Sequence, residues 1–178
     1  MLTTSKTAQN LKPVVLTVAI TLALWLGSKW VFNDWFDNPF KYPAKAASLS
    51  ATVLFCWCVV LSTRNRLLER YFHGLDKVYQ VHKRLGKAAF WLILLHPLFL
   101  ALDRLPDLAA FLHRLWFIAP QGDRYLLGHN LGVGALLLLI LLLIPTLWVK
   151  IPYHRWKRTH EWSGAFLVLL IVHVFVVN

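Results

Sequence analysis

Hydrophobic and polar positions in this chain separate into long blocks rather than alternating residue by residue. Apolar runs recur at about 13–32, 47–63, 78–101, 126–148 and 158–177. Each approaches the roughly 17–25 residues that a helix needs to cross a bilayer. The segments between them are polar or basic, and no stretch carries the strict alternation of a half-buried strand. The pattern predicts an all-α fold, a polytopic transmembrane helical bundle of about five spans. Span four, "LGVGALLLLILLLIPTLWV", is the least ambiguous, and Pro145 near its end should kink it or mark its boundary. Between spans three and four, "PDLAAFLHRLWF" brings Leu108, Phe111, Leu112, Leu115 and Trp116 near one helix face, an amphipathic cap in the membrane interface. The 33–47 segment, rich in Asn and Asp, reads as an exposed turn with some aromatic anchoring.

Composition and charge sharpen this. Of 178 residues, 58% are hydrophobic and 15% charged, where a soluble domain carries about a quarter charged. A net charge of +11 would suit nucleic acid, but the cations cluster in short segments between apolar runs, as membrane topology requires. Thirteen of the nineteen Lys and Arg fall in the N-terminal tail, the 64–87 segment and the 150–158 segment. The other six share the opposite side with five of the eight acids. The positive-inside rule therefore places the N-terminus in the cytoplasm and the end of span five outside. The first twenty residues resemble a signal anchor that is retained. Cys56 and Cys58 sit two apart, about 200° round a helix. They cannot pair or clamp one ion, and they read as buried neutral thiols. There is no glycine-rich phosphate loop and no GxGxxG after a strand, so nothing here binds a dinucleotide by itself.

The chemistry lies in the histidines. "HKRLGKAAFWLILLH" has His82 and His96 at its ends, and "HEWSGAFLVLLIVH" has His160 and His173. An ionisable residue inside a span is costly, so it points to function. Spans three and five cross in the same direction, and the two pairs, 14 and 13 residues apart, advance about 21 and 20 Å along their axes. Two helices thus present imidazoles at two matching depths, which suits haem iron with an axial imidazole on each face. Both helices repeat H-x-x-x-G, as His82 to Gly86 and His160 to Gly164, leaving room for a flat macrocycle. Fourteen residues fall about 40° short of four turns, whereas thirteen leave a discrepancy of about 140°. Either span five is distorted near Gly164, or its histidines reach out from different flanks. Histidines that only bond between helices are the plainer alternative. His73 and His154 lie in cytoplasmic connections. His113 and His129, on the outer side, could line an exit site or be solvated or capping.

With these residues in view, the chain resembles the ferric reductase/NADPH oxidase superfamily, specifically its ferric reductase-like transmembrane domain, over roughly 48–178. "GLDKVYQVHKRLGKAAFWLILLHPLF" and "HRWKRTHEWSGAFLVLLIVHVF" carry the resemblance. It implies a single dihaem cytochrome b domain over 1–178, holding two haem b. His82 and His160 would bind iron in the inner haem, and His96 and His173 in the outer. Phe166 takes the place of an aromatic residue between the haems. Arg84, Lys83 or Arg158 could meet inner-haem propionates, since a guanidinium matches a carboxylate fork. No acid/base or nucleophilic catalytic residue is expected. The implied activity is the membrane part of an NAD(P)H oxidase or ferric reductase type oxidoreductase. It would carry electrons from a cytoplasmic flavin/NADPH donor to an outer-face acceptor, oxygen or ferric iron.

Two features depart from the family pattern. The family core has six helices followed by a flavin- and NADPH-binding dehydrogenase region, so FAD and NADPH are expected on a missing domain or a partner subunit. Superoxide-forming members tend to carry a histidine one turn after the outer ligand, where this chain has Leu100. The expected surroundings are membrane lipid, in a bacterial inner (plasma) membrane, with no nucleic acid. A quinol-coupled cytochrome b and a haem-free structural subunit remain the alternatives.

Overall fold

The structure, a computed structural model, describes residues 11–116, 123–149 and 151–177. Its elements are α1 (Lys12–Phe32), α2 (Lys41–Ser62), α3 (Arg66–Phe72), α4 (Leu75–Leu102), α5 (Leu108–Arg114), α6 (Arg124–Trp148), α7 (Tyr153–Glu161) and α8 (Ser163–Val177). Among the described residues there is no strand, and five stretches are long and apolar enough to cross a membrane. They are Lys12–Phe32, Lys41–Ser62, Leu75–Leu102, Arg124–Thr146 and Tyr153–Val177, so all five expected spans are present. Large side chains such as Leu24 (70% exposed), Trp30 (78%) and Leu141 (69%) face outward. Lipid as solvent carries no penalty for this, and the helices associate through close packing and hydrogen bonds instead.

The chain divides into two compact units, one up to Asp103 and one from Arg104. In the first unit, α1 ends on Asn33, whose left-handed conformation (φ 48°) suits a helix cap. The following turn is anchored as expected. Lys29 Nζ lies 2.6 Å from Asp34 Oδ2 and 4.0 Å from the centre of the Phe36 ring, while Trp35 and Phe36 pack on Tyr42. The turn is shorter than expected, because α2 begins at Lys41 rather than near 47. Lys41 and Lys45 mask this first turn in a hydropathy reading. The Asn38 carbonyl nevertheless accepts from Lys41 N–H, and Pro43 falls in the first turn, where a missing donor costs nothing.

Buried residues on α2 are Ala44, Ala47, Ala51, Leu54, Phe55, Cys58 and Leu61. Steps of three or four, with Leu54 and Phe55 side by side, keep them on one face, a narrow seam with small residues at Ala44, Ala47, Ala51 and Cys58. Against it lie Val78, Val81, Leu85, Ala89 and Phe90 of α4. Small residues let two backbones approach closely, which is how membrane helices gain packing contacts. Between these helices, α3 starts with Asn65 accepting from Leu67 N–H and stops at His73 and Gly74. Gly74 has φ 132°, a conformation that requires glycine.

In the second unit, α5 is capped by Asp107, which accepts from Ala110 N–H. Leu108 and Leu112 are exposed along it and Trp116 just beyond it, while Phe111 and Leu115 are half-buried. Arg114 donates to the Tyr125 hydroxyl at the start of α6. Pro145 does not stop α6, which continues three residues to Trp148. Only the last turn follows the proline, so few hydrogen bonds are lost. Span five is two helices, α7 and α8, with Trp162 between them.

Candidate functional site

All four singled-out histidines lie on spanning helices and are half-buried. His82 and His96 share the uninterrupted helix α4, so fourteen residues bring them back to nearly one face. Both rings reach across to α2. His82 Nδ1 is 3.0 Å from the Cys58 carbonyl, and His96 Nδ1 is 3.0 Å from the Ala44 carbonyl. Cys58 and Ala44 are also fourteen apart, so the antiparallel register repeats one contact at two depths. A helix carbonyl has a second lone pair beyond its own ladder, and it can only accept. In the neutral ring, Nδ1 must then carry the proton, which places the basic lone pair on Nε2.

The second unit repeats the arrangement. His173 Nδ1 on α8 lies 2.7 Å from the Gly128 carbonyl on α6. The same ring rests on Gly132, where an added Cβ would stand 2.8 Å from Cε1 and 3.0 Å from Nδ1. His160 is held differently. It lies in the last turn of α7 and stacks on Trp156 one turn earlier, with centroids 5.1 Å apart and planes 17° from parallel.

The spacing problem in span five is met by a break. Trp162 N–H bonds to Thr159 O at 3.2 Å, and Ala165 N–H bonds to Trp162 O at 3.0 Å. These three-residue bonds tighten the backbone locally, two positions before Gly164. Phe166, 3% exposed, is the buried residue of α8. Beyond its own turn of helix, a Cβ at Gly86 would meet Cys58 Sγ at 3.9 Å, and one at Gly164 would meet nothing within 4 Å.

Arg84, Lys83 and Arg158 are exposed. His113 is exposed on α5, while His129 Nε2 lies 2.8 Å from the Trp116 carbonyl. His73 caps α3, and His154 is exposed on α7. The reading of two buried thiols needs correction. Cys58 is buried and donates weakly to the His82 carbonyl, but Cys56 is exposed, because 200° of helix turns it to the other flank.

Ala44, Cys58, Gly128 and Gly132 were not anticipated from the sequence. The available signals were the shared fourteen-residue spacing and the "GHNLG" pair of glycines. Among the described residues, no three His, Cys, Asp or Glu side chains converge to hold a metal ion.

A family model for the ferric reductase like transmembrane component matches residues 47–171, well over half of the chain. The match takes in α4 with both its histidines and His160, and ends two residues before His173. No characterised protein and no solved structure gives a significant match. The chain belongs to the ferric reductase-like transmembrane component family.

Proposed function

We propose that this chain is a dihaem cytochrome b module, the membrane part of an NAD(P)H oxidase or ferric reductase type oxidoreductase. In this reading it carries electrons from a cytoplasmic flavin/NADPH donor to oxygen or ferric iron on the outer face. One observation carries the reading: His82, His96 and His173 each present Nδ1 to a helix carbonyl. A histidine that only bridges helices could use either nitrogen. A ligating imidazole commits one nitrogen to a neighbouring acceptor, which fixes the tautomer and ring plane and raises the basicity of the other. The open space beside Gly164 also suits a flat macrocycle.

His82 and His160 are assigned to the inner haem and His96 and His173 to the outer, on the matching sequence offsets. Phe166 is assigned between them, with Gly86 and Gly164 leaving room and Arg84 meeting a propionate. Bound haem supplies one-electron iron chemistry. The chain's own part is to hold the imidazoles in one tautomer at two depths and to surround them with apolar helices. FAD and NADPH belong to a partner subunit or a further domain.

The purified protein should show b-type Soret and α bands with two haems per chain. His82→Ala and His96→Ala should each lose about half of that haem. A protein without these bands is a haem-free structural subunit. Reduction by a quinol analogue, but not by a flavin reductase with NADPH, makes it a quinol-coupled cytochrome b.

A further inference from the structure

The bond from Trp57 Nε1 to Thr17 Oγ1, 2.9 Å, fixes how α2 lies on α1. Lys29 follows Thr17 by as many residues as Lys45 precedes Trp57, so the antiparallel register sets the two lysines opposite each other. Lys45 is half-buried and near enough to Lys29 for their charges to repel. Trp25, one turn before Lys29, packs on Tyr42, one turn before Lys45, with ring centroids 6.3 Å apart. Lys41 joins the same group, 5.8 Å from the centre of the Phe36 ring that Lys29 approaches at 4.0 Å.

This junction holds more donors than acceptors. Buried Lys29 is satisfied by Asp34 at 2.6 Å. Lys45 makes no ion pair or hydrogen bond through its ammonium among the described residues. Trp25 Nε1 is buried and, among the same residues, also donates to nothing. Of the other acids nearby, Asp103 accepts from Asn38, and Asp37 is exposed on the turn. A buried donor left without an acceptor is costly, so a group from outside the chain is called for. The junction lies at the ends of two spans, with Trp30, Phe32 and Trp35 exposed beside it. Aromatic residues gather in this way at the level of the lipid headgroups.

We propose that Lys45, Lys41 and the Trp25 indole N–H hold the phosphate of an anionic phospholipid headgroup at this junction. A phosphate diester offers only acceptors, so it meets the unpaired N–H and ammonium together. Its negative charge also offsets the repulsion between Lys45 and Lys29. A phosphatidylglycerol headgroup suits the site better than phosphatidylcholine, whose own cation would stand among the lysines. The site adjoins Ala44, whose carbonyl receives His96, but it does not depend on the proposed function.

The test places the full chain in nanodiscs of phosphatidylcholine, with and without phosphatidylglycerol. Melting is followed by circular dichroism, and retained lipid is counted by native mass spectrometry. Trp25→Phe removes the N–H and keeps an aromatic ring, while Lys45→Gln removes the charge. Phosphatidylglycerol should raise the melting temperature of the wild type. Each variant should lose most of that rise and hold the lipid about tenfold more weakly. Comparing the rise, rather than the melting temperature itself, cancels any packing lost in the variant. Arg64→Gln combined with Lys87→Gln removes two exposed cations from the opposite end of the spans and should keep the rise. A wild type that melts alike in both lipids overturns the inference, as does either single variant with the full rise. A control that loses the rise as Lys45→Gln does overturns it too, since the attraction is then diffuse. Inorganic phosphate that reproduces the rise in phosphatidylcholine alone assigns the site to a free anion and overturns the lipid.

Discussion

Gly132→Ala adds one methyl group where the structure leaves no room for it. The new Cβ would stand 2.8 Å from His173 Cε1, so the ring must recede by about 0.7 Å to reach the ~3.5 Å of ordinary carbon contact. Taken along the 2.7 Å bond to the Gly128 carbonyl, that shift stretches it to about 3.4 Å, outside the useful range. Losing such a bond costs about 1 kcal/mol, and overpacking costs a further ~1–3 kcal/mol. Alanine's better helix propensity returns at most about 1 kcal/mol. The expected net effect is destabilisation of roughly 1–3 kcal/mol, with a changed His173 ring environment. Gly134→Ala is the matched control, since nothing beyond its own turn of helix lies within 4 Å of a Cβ there. Thermal unfolding in detergent, paired with ¹⁵N-histidine NMR, reads both consequences. Gly132→Ala and Gly134→Ala melting together, with the same His173 spectrum, would refute the argument that the ring is seated on Gly132.

Gly164→Ala should leave the haem-free protein's melting unchanged or slightly raised, because nothing of the protein opposes the methyl. It should nevertheless lower haem content if the macrocycle lies there, a difference readable by titrating haem into both forms. Asp34→Asn removes the partner of Lys29, whose side chain is 9% exposed against 73% for the aspartate. With one partner in solvent, the expected loss is about 1–2 kcal/mol, below that of a fully buried pair, checked by thermal unfolding. Trp57→Phe deletes the bond from Trp57 Nε1 to Thr17 Oγ1, 2.9 Å, that ties α2 to α1. A loss of about 1 kcal/mol is expected, and an unchanged melting temperature would mean that this bond holds nothing.

What the sequence determined by itself is what depends on local composition. A helix in lipid must satisfy its own backbone, so apolar length alone located the five spans. The spacing of His82, His96, His160 and His173 is likewise a one-dimensional quantity. Thirteen residues do not close four turns, but whether span five is distorted or its histidines point from different flanks was left open by the spacing, and the break at Trp162 is a finding of the structure. Hydropathy misplaced the start of α2, because Lys41 and Lys45 can sit in a helical first turn while their charge hides it.

The tertiary structure decided the surroundings of each ring. Nothing in "CWCVVLS" or "YPAKAAS" announces that a carbonyl in it accepts from a histidine 24 or 52 residues later. That contact exists only once the seam of α2 meets α4 in one register, fixed by packing between residues distant in the chain. The same holds for Gly128 and Gly132, whose importance appears only when His173 comes to rest on them. Spacing along a helix could be counted from the sequence, but the tautomer of an imidazole is set by its neighbour on another helix.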